Sequence, residues 1–451
     1  MTPSTGTTAS RLQLRGRAEL WLAIWVVAML VVPIMGTFYP PETYFFAGAF
    51  NEQEFSSSKL MPVLLVLISA SVGVVYVALR RRTKIRHDIA IYVYLLAVAL
   101  SLAYSPEPGA AANRALRLLP PIGLAVLYAQ LYPYRAMIRL MAIAFTISAL
   151  LSIVMGAAFP GLGHSNLGGM YDSAWRGALG HKNTAGFVYS LGLLTATVGW
   201  LDRLIDRRLA VVCGLTCAFM IVMADSMTAV LAVSAALGLT LLLRGARIMR
   251  PEIRLLVVGI IVFALISLTM LVQAAPELIA AMIGRDLTLT GRTEVWSAVW
   301  DLIQKRPLGS YGYAFWQMDT PEREGIWTEV GYMALHTHNN WLDLWLQVGL
   351  LGLLAIAFDL LRSLATGFRD LLFDPRAAQA SLPFAFLVVL IIRSMSEVEF
   401  EEPGTTGVFL LVWASIALRV GRLERRATRP APRQPAPIAA RRTMEAATLR
   451  S

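Results

Sequence analysis

Charge is scarce in this chain. Only 15% of its 451 residues are Asp, Glu, Lys or Arg, against 57% hydrophobic. A soluble chain of this length would divide into two or three domains and carry more charge, so that class is excluded. Cysteine is nearly missing. Cys213 and Cys217 lie four apart inside an apolar run, share one helix face, and read as small packing residues rather than a disulfide or metal pair. No Ala-x-Ala exit follows the first apolar run at 20–38, which is long enough to span, so no cleavable signal peptide is expected. No internal repeat of about 20–50 residues is evident.

What is present is a series of apolar runs of about 17–25 residues, the length that crosses roughly 30 Å of hydrocarbon. Twelve spans are read, at 19–39, 60–79, 88–104, 115–131, 136–157, 184–201, 209–224, 227–243, 255–274, 341–361, 380–395 and 405–420. The expected fold class is therefore an all-α polytopic membrane protein of about 12 transmembrane helices. Its membrane domain covers 19–420, after a short cytoplasmic segment at 1–18. With the N-terminus placed inside, the inner segments and the adjoining inner ends of the spans hold 29 of the 40 Lys and Arg. They include the basic run at 80–86, then Arg203, Arg207 and Arg208, then Arg244, Arg247, Arg250 and Arg254. This agrees with the positive-inside rule and puts both termini in the cytoplasm. It also accounts for the net charge of +11 without nucleic acid as a partner.

Pro120-Pro121 predicts a kink near the outer end of the fourth span. Residues 421–451, rich in Arg, Pro and Ala, read as a disordered basic tail resting on anionic lipid headgroups. Residues 275–340 form one large outer loop, and its tryptophans argue that it is ordered. Within it, 293–305 carries Trp296, Val299, Trp300 and Ile303 on one face, the pattern of a helix lying on the membrane surface.

Three outer segments concentrate the unusual residues. One contains His164, then Trp175-Arg176-Gly177-Ala178-Leu179-Gly180-His181-Lys182-Asn183-Thr184. The second is Thr290-Gly291-Arg292-Thr293-Glu294-Val295-Trp296, followed by Pro307-Leu308-Gly309. The third is His336-Thr337-His338-Asn339-Asn340-Trp341, leading into Gly349-Leu350-Leu351-Gly352. Four of the five histidines fall here, beside Arg176, Lys182 and Arg292. Cations at the mouth of a helix bundle suit a phosphate or diphosphate, and histidine suits a base near neutral pH. The alternative readings are structural. Asn339 and Asn340 can cap a helix. The tryptophans can be interfacial anchors. Arg176 can reach headgroups. His336 and His338, one residue apart on an extended segment, would point to opposite sides, and no third ligand is near, so no metal is expected. Glu397, Glu399, Glu401 and Glu402 read as a solvated acidic loop.

These three segments, in this order, resemble the O-antigen ligase/polymerase family of bacterial membrane proteins over roughly 160–355. The Gly-His-Lys-Asn stretch is more similar to the exopolysaccharide-polymerase branch. The resemblance implies a GT-C-like glycosyltransferase bundle in the bacterial inner membrane, with a large periplasmic loop. It implies an undecaprenyl-diphosphate-linked glycan as substrate, with neither metal nor nucleotide sugar, and no cofactor. Arg292 then corresponds to a diphosphate-holding arginine and His338 to the base that activates the acceptor hydroxyl. Arg176, Lys182, His181, Asn183, His336 and Asn339 are the expected substrate-binding residues. A flippase and a chain-length regulator are the partners the family implies, besides membrane lipids. One departure stands out: many ligases carry a Ser-Arg pair where this chain has Asp225-Ser226-Met227-Thr228. Either Lys182 or Arg176 supplies the missing cation, or the chain is a polymerase. The rival from another class is a 12-helix transporter, against which stand the near absence of charge within the spans and the long ordered loop.

Overall fold

The computed structural model describes residues 88–131, 133–165, 173–179, 181–261, 291–400 and 406–427. The spans read at 19–39 and 60–79, most of 255–274, and the tail beyond 427 lie outside the described residues. So does 275–290 of the large loop.

The described residues are helical. In chain order the helices are α1 (Ile89–Tyr104), α2 (Pro108–Leu116), α3 (Leu119–Leu131), α4 (Tyr134–Ala158), α5 (Lys182–Leu201), α6 (Arg207–Met223) and α7 (Met227–Ala246). They continue as α8 (Arg292–Lys305), α9 (Pro321–Val330), α10 (Asn340–Val348), α11 (Leu350–Phe373), α12 (Ser381–Arg393) and α13 (Thr406–Ala427). Among the described residues α4, α5, α7, α11 and α13 are long and apolar enough to cross a membrane. The starts follow local chemistry: the Asp88 carboxylate accepts from Ala90 N at 3.1 Å to cap α1, and Asp206 accepts from Leu209 N at 3.0 Å to cap α6.

α5 is the centre of the bundle, packed by α4, α6, α7 and α12. It meets α6 at Gly192, where any side chain would strike Cys217. Both cysteines are free thiols, fully buried at this close approach, as packing residues should be. A second apolar cluster lies beside the bundle. Val295, Val299 and Ile303 of α8 pack there with Phe315, Trp316 and Ile326. The face of α8 that is buried is thus turned from the one the sequence suggested: Trp300 points out, half-exposed, and α8 packs on its own chain.

Three sequence boundaries change. The fourth span is two helices, broken at Arg117–Leu118, with Pro120 and Pro121 in the first turn of α3, where proline removes no bond the helix would make. The last helix continues past 420 to Ala427, into the segment read as tail. The span read at 341–361 is α10 followed by α11, broken at Gly349, and it runs on to Phe373. Gly349 has φ +87° and ψ 176°, and a Cβ there would stand 2.8 Å from the Gly309 carbonyl. Pro307-Leu308-Gly309 therefore docks into the break. Trp345 Nε1 donates to the Pro307 carbonyl at 2.8 Å, and Tyr311 N donates to Leu346 O at 2.9 Å.

Charged residues collect at the two ends of the bundle. At one end Arg362 binds Asp359 at 2.6 Å and Asp88 at 3.0 Å, and Arg419 joins both carboxylates. Nearby, Arg422 and Arg425 hold Asp370 and Asp374, and Arg244 holds Asp202. Pairing is what permits these charges among packed helices. At the other end α12 stops early. Its 13 residues rise about 20 Å, short of the ~30 Å of hydrocarbon. The segment after it folds back among the helices, where Phe400 is buried and its carbonyl accepts from Tyr94 Oη at 3.4 Å.

The Gly349 geometry generates a stability prediction. Gly349→Ala forces a Cβ into a glycine-only conformation against a backbone oxygen, at a cost of roughly 1–3 kcal/mol. Thermal unfolding of the purified protein should show a lowered Tm, whereas Gly325→Ala, in open space on α9, should not. Equal Tm values would mean that the 307–312 loop does not fill the break.

Candidate functional site

The four element ends that meet opposite the large ion-pair cluster carry most of the residues singled out from sequence. They are the N-termini of α5, α8 and α10 and the segment after α12. Arg393, the last residue of α12, is buried. Its guanidinium donates to Glu399 at 2.7 Å and to the Asn183 carbonyl at 3.0 Å, over the ring of Phe187. Asn340 Oδ1 accepts from Glu399 N at 2.7 Å and from Phe400 N at 2.8 Å, while Asn340 N donates to Ser394 O at 2.9 Å. Those bonds tie α10 to the segment after α12.

The outcome is to present Glu397. Its carboxylate accepts from Asn183 Nδ2 at 2.8 Å, meets His338 Nδ1 at 3.3 Å, and faces Arg292 at 3.6 Å. Arg292 also donates to the Ser396 carbonyl at 3.0 Å. Burial pushes the Glu397 carboxyl up, but the hydrogen bond from His338 and the charges of Arg393, His338 and His336 outweigh it and hold the group well below the usual carboxylate range. The solvated acidic loop expected at this position is thus corrected. Glu397 and Glu399 are partnered inside the protein, while 401 and 402 lie outside the described residues.

The histidine segment is clamped from beneath. The buried Asp343 carboxylate accepts from Thr337 N at 3.0 Å, Trp316 Nε1 at 2.8 Å and Gln347 Nε2 at 2.6 Å. Trp296 Nε1 of α8 donates to the Thr337 carbonyl at 2.7 Å. His338 sits at φ +54°, so the backbone turns and the rings of His336 and His338 come to 4.0 Å between centroids. The expectation that they face opposite ways fails because that geometry assumed an extended backbone.

The two rings do different things. His336 Nδ1 accepts from His338 N at 3.1 Å, and His181 Nδ1 accepts in the same way from Asn183 N at 3.1 Å. Each lone pair is committed to the backbone. Burial, with the nearby charge of His338 added, pushes His336 down to about 4. Burial likewise pushes His181 to about 4, against the opposing pull of Glu397. His164 stacks on Trp175 at 5.4 Å and bonds the Gly156 carbonyl. His338 is the one of these four whose Nδ1 meets a carboxylate, that of Glu397.

Not every expected residue converges. Asn339 caps α10, its Oδ1 accepting from Trp341 N at 3.1 Å and Leu342 N at 3.3 Å. Lys182 is buried, and its ammonium reaches the Asp225 carbonyl at 3.2 Å and carboxylate at 3.9 Å. Asp225 opens the Asp225-Ser226-Met227-Thr228 stretch, so the cation that meets this turn comes from the start of α5. Arg176 Nε donates to the Leu162 carbonyl at 3.0 Å, and among the described residues no contact joins it to His338 or Glu397. Sequence reading missed Glu397, Arg393 and Asp343. The available signal was Arg393, a lone cation at the end of an apolar run, which needs a buried acid.

His336, His338 and Glu397 offer three ligand atoms within 4.8 Å of one another, enough to hold a metal ion. Two features oppose a cation there: Arg292 already faces Glu397, and the His336 Nδ1 lone pair is occupied.

The two depressed histidines set an acid limit. An unfolded chain takes up their protons near the ordinary value of 6.5, and the folded protein only near 4. The stability they confer is full above pH 6.5 and is lost as pH falls through that window. Tm should drop from pH 7 to pH 4, and His181→Gln with His336→Gln should flatten the drop. An unchanged slope in the double variant would remove these two groups as its source.

Comparison with known proteins follows the same residues. Residues 211–357 match the family model described as O-Antigen ligase. That span holds Arg292, His336, His338 and Asp343, while Lys182, Asn183, Arg393 and Glu397 lie outside it. The chain is also similar to the exopolysaccharide production protein ExoQ of Rhizobium meliloti (strain 1021). The two are 28% identical over 358 residues, which is 77% of this chain and 81% of the relative. The apolar helices, the matched span and this relative all support a membrane protein of the O-antigen ligase/polymerase family, in its exopolysaccharide branch.

Proposed function

We propose that the protein polymerises oligosaccharide repeat units carried on undecaprenyl diphosphate into an exopolysaccharide, at the periplasmic face of the bacterial inner membrane. The observation that carries this reading is the meeting of His338, Glu397 and Arg292 at one end of a helix bundle. The excess of Lys and Arg in the segments read as cytoplasmic supports the orientation, with both termini inside.

In this reading Glu397 accepts from His338 Nδ1 and fixes its tautomer, so that Nε2 is the base. His338 Nε2 takes the proton from an acceptor sugar hydroxyl. The hydroxyl oxygen bonds to the anomeric carbon of the donor, and the bond from that carbon to the diphosphate oxygen breaks. Its electron pair leaves with the lipid diphosphate, whose growing charge Arg292 offsets. Lys182, held at the Asp225 turn, adds positive potential close by. A diphosphate departs without an acid to protonate it, so a base and a cation suffice and no metal is required.

The test is complementation of a gene deletion at matched membrane levels, sizing the surface polysaccharide and the lipid-linked pool. His338→Ala should cut polymer formation on the order of 10²–10⁴-fold, the usual contribution of a general base. Arg292→Ala should leave single repeat units in place of long polymer, and Glu397→Gln should lose less than His338→Ala. Long polymer retained on its carrier lipid in the deletion strain would make the protein a ligase. Wild-type polymer from both alanine variants would overturn the site.

A further inference from the structure

A second cleft lies away from this site, on the outward side of the bundle between α5 and α6. This open cleft has a volume of about 370 Å³, between Ala196, Thr197 and Trp200 of α5 and Arg207, Ala210 and Gly214 of α6. Small residues on both walls make the recess. Its surroundings are apolar and exposed, with Val211, Leu215 and Phe219 on the outward face of α6. A soluble protein would not leave such a face bare, whereas a membrane protein presents it to acyl chains.

The charge at one end of the cleft is asymmetric. Arg207 stands at its rim, and Arg203 and Arg208 are its near neighbours in sequence. Arg139 acts electrostatically on the first turn of α6 through Asp206. Of the acids nearby, Asp202 is bound by Arg244, and the single charge of Asp206, turned to the α6 backbone as its cap, is outnumbered by Arg139, Arg203, Arg207 and Arg208. Arg207 has no ion-pair partner among the described residues. Trp200, half-exposed, flanks the same end, in the position of an interfacial anchor. An apolar recess closed at one end by unpaired arginine and tryptophan matches one occupant in shape and charge.

We propose that this cleft is a binding site for an anionic phospholipid of the surrounding bilayer. One acyl chain lies between α5 and α6 against Ala196, Ala210 and Gly214, and the headgroup phosphate meets Arg207. The site is separate from the glycan-transfer residues and does not rest on their assignment.

Native mass spectrometry of the full-length protein tests this, with delipidated protein titrated with phosphatidylglycerol and, separately, phosphatidylcholine. Phosphatidylglycerol should bind about fivefold more tightly, the increment one basic residue gives at an anionic surface. Arg207→Gln, an exposed substitution that leaves packing intact, should bring phosphatidylglycerol to the level of phosphatidylcholine without changing the latter. Gly214→Leu should weaken both, because a Cβ there meets Ala196 only at ordinary contact distance and the longer side chain fills the recess. Unchanged binding in Arg207→Gln overturns the proposal even where Gly214→Leu fails to fold. So does an equal loss for both lipids in Arg207→Gln. A dimer that Gly214→Leu dissociates would assign the cleft to a second copy of the chain instead.

Discussion

A guanidinium with no access to water governs the end of the bundle where the site lies. Arg393 terminates α12 among packed helices, and an unpaired charge there would cost several kcal/mol. The chain meets that cost with Glu399, the Asn183 carbonyl and the ring of Phe187. Two of these partners belong to α5 and the third to the segment after α12, so satisfying one charge fixes the start of α5 against the end of α12. It also fixes where the next residues run. Glu397, between Arg393 and Glu399 in sequence, is delivered to His338 and Arg292 as a consequence of that pairing.

The two ends of the bundle handle charge differently. Around Asp88, Asp359, Asp370 and Asp374, arginines and carboxylates neutralise one another, which locks α1, α11 and α13 together. At the site end Arg292 faces Glu397 and Arg393 pairs with Glu399, with His336 and His338 beside them, while Lys182 pairs with Asp225 at the neighbouring turn. The first arrangement stabilises. The second holds charged groups close together around the His338 ring.

Much of this was legible beforehand, for identifiable reasons. Apolar run length located α4, α5, α7, α11 and α13 because span length is set by the bilayer and not by neighbours. The extent of α8 was readable from its periodicity, but which face packs was not. Two tryptophans suggested a membrane-facing stripe, and the partners that decided otherwise, Phe315, Trp316 and Ile326, are not helical neighbours. His338 and Arg292 came through because cations and histidines are rare in such a chain. Glu397 did not, since the acids that follow Arg393 look alike in sequence until the fold gives Glu399 to that buried arginine and Glu397 to Arg292 and His338. The His336–His338 approach was hidden as well, because a single positive φ reverses the side to which a ring points.

His181 and His336 give a lesson in how rare residues are spent. In both, Nδ1 accepts the amide of the residue two places on, the bond that aspartate or asparagine makes in an Asx-turn. An imidazole reproduces the span of a carboxamide while adding a ring that packs and excludes water. The sequence His-x-His or His-x-Asn can then encode a backbone corner, with the first histidine acting as scaffold. Counting histidines in an outer loop overstates the number of proton acceptors. Of the four histidines in the segments singled out from sequence, two form corners, one stacks on tryptophan, and His338 turns its Nδ1 to a carboxylate.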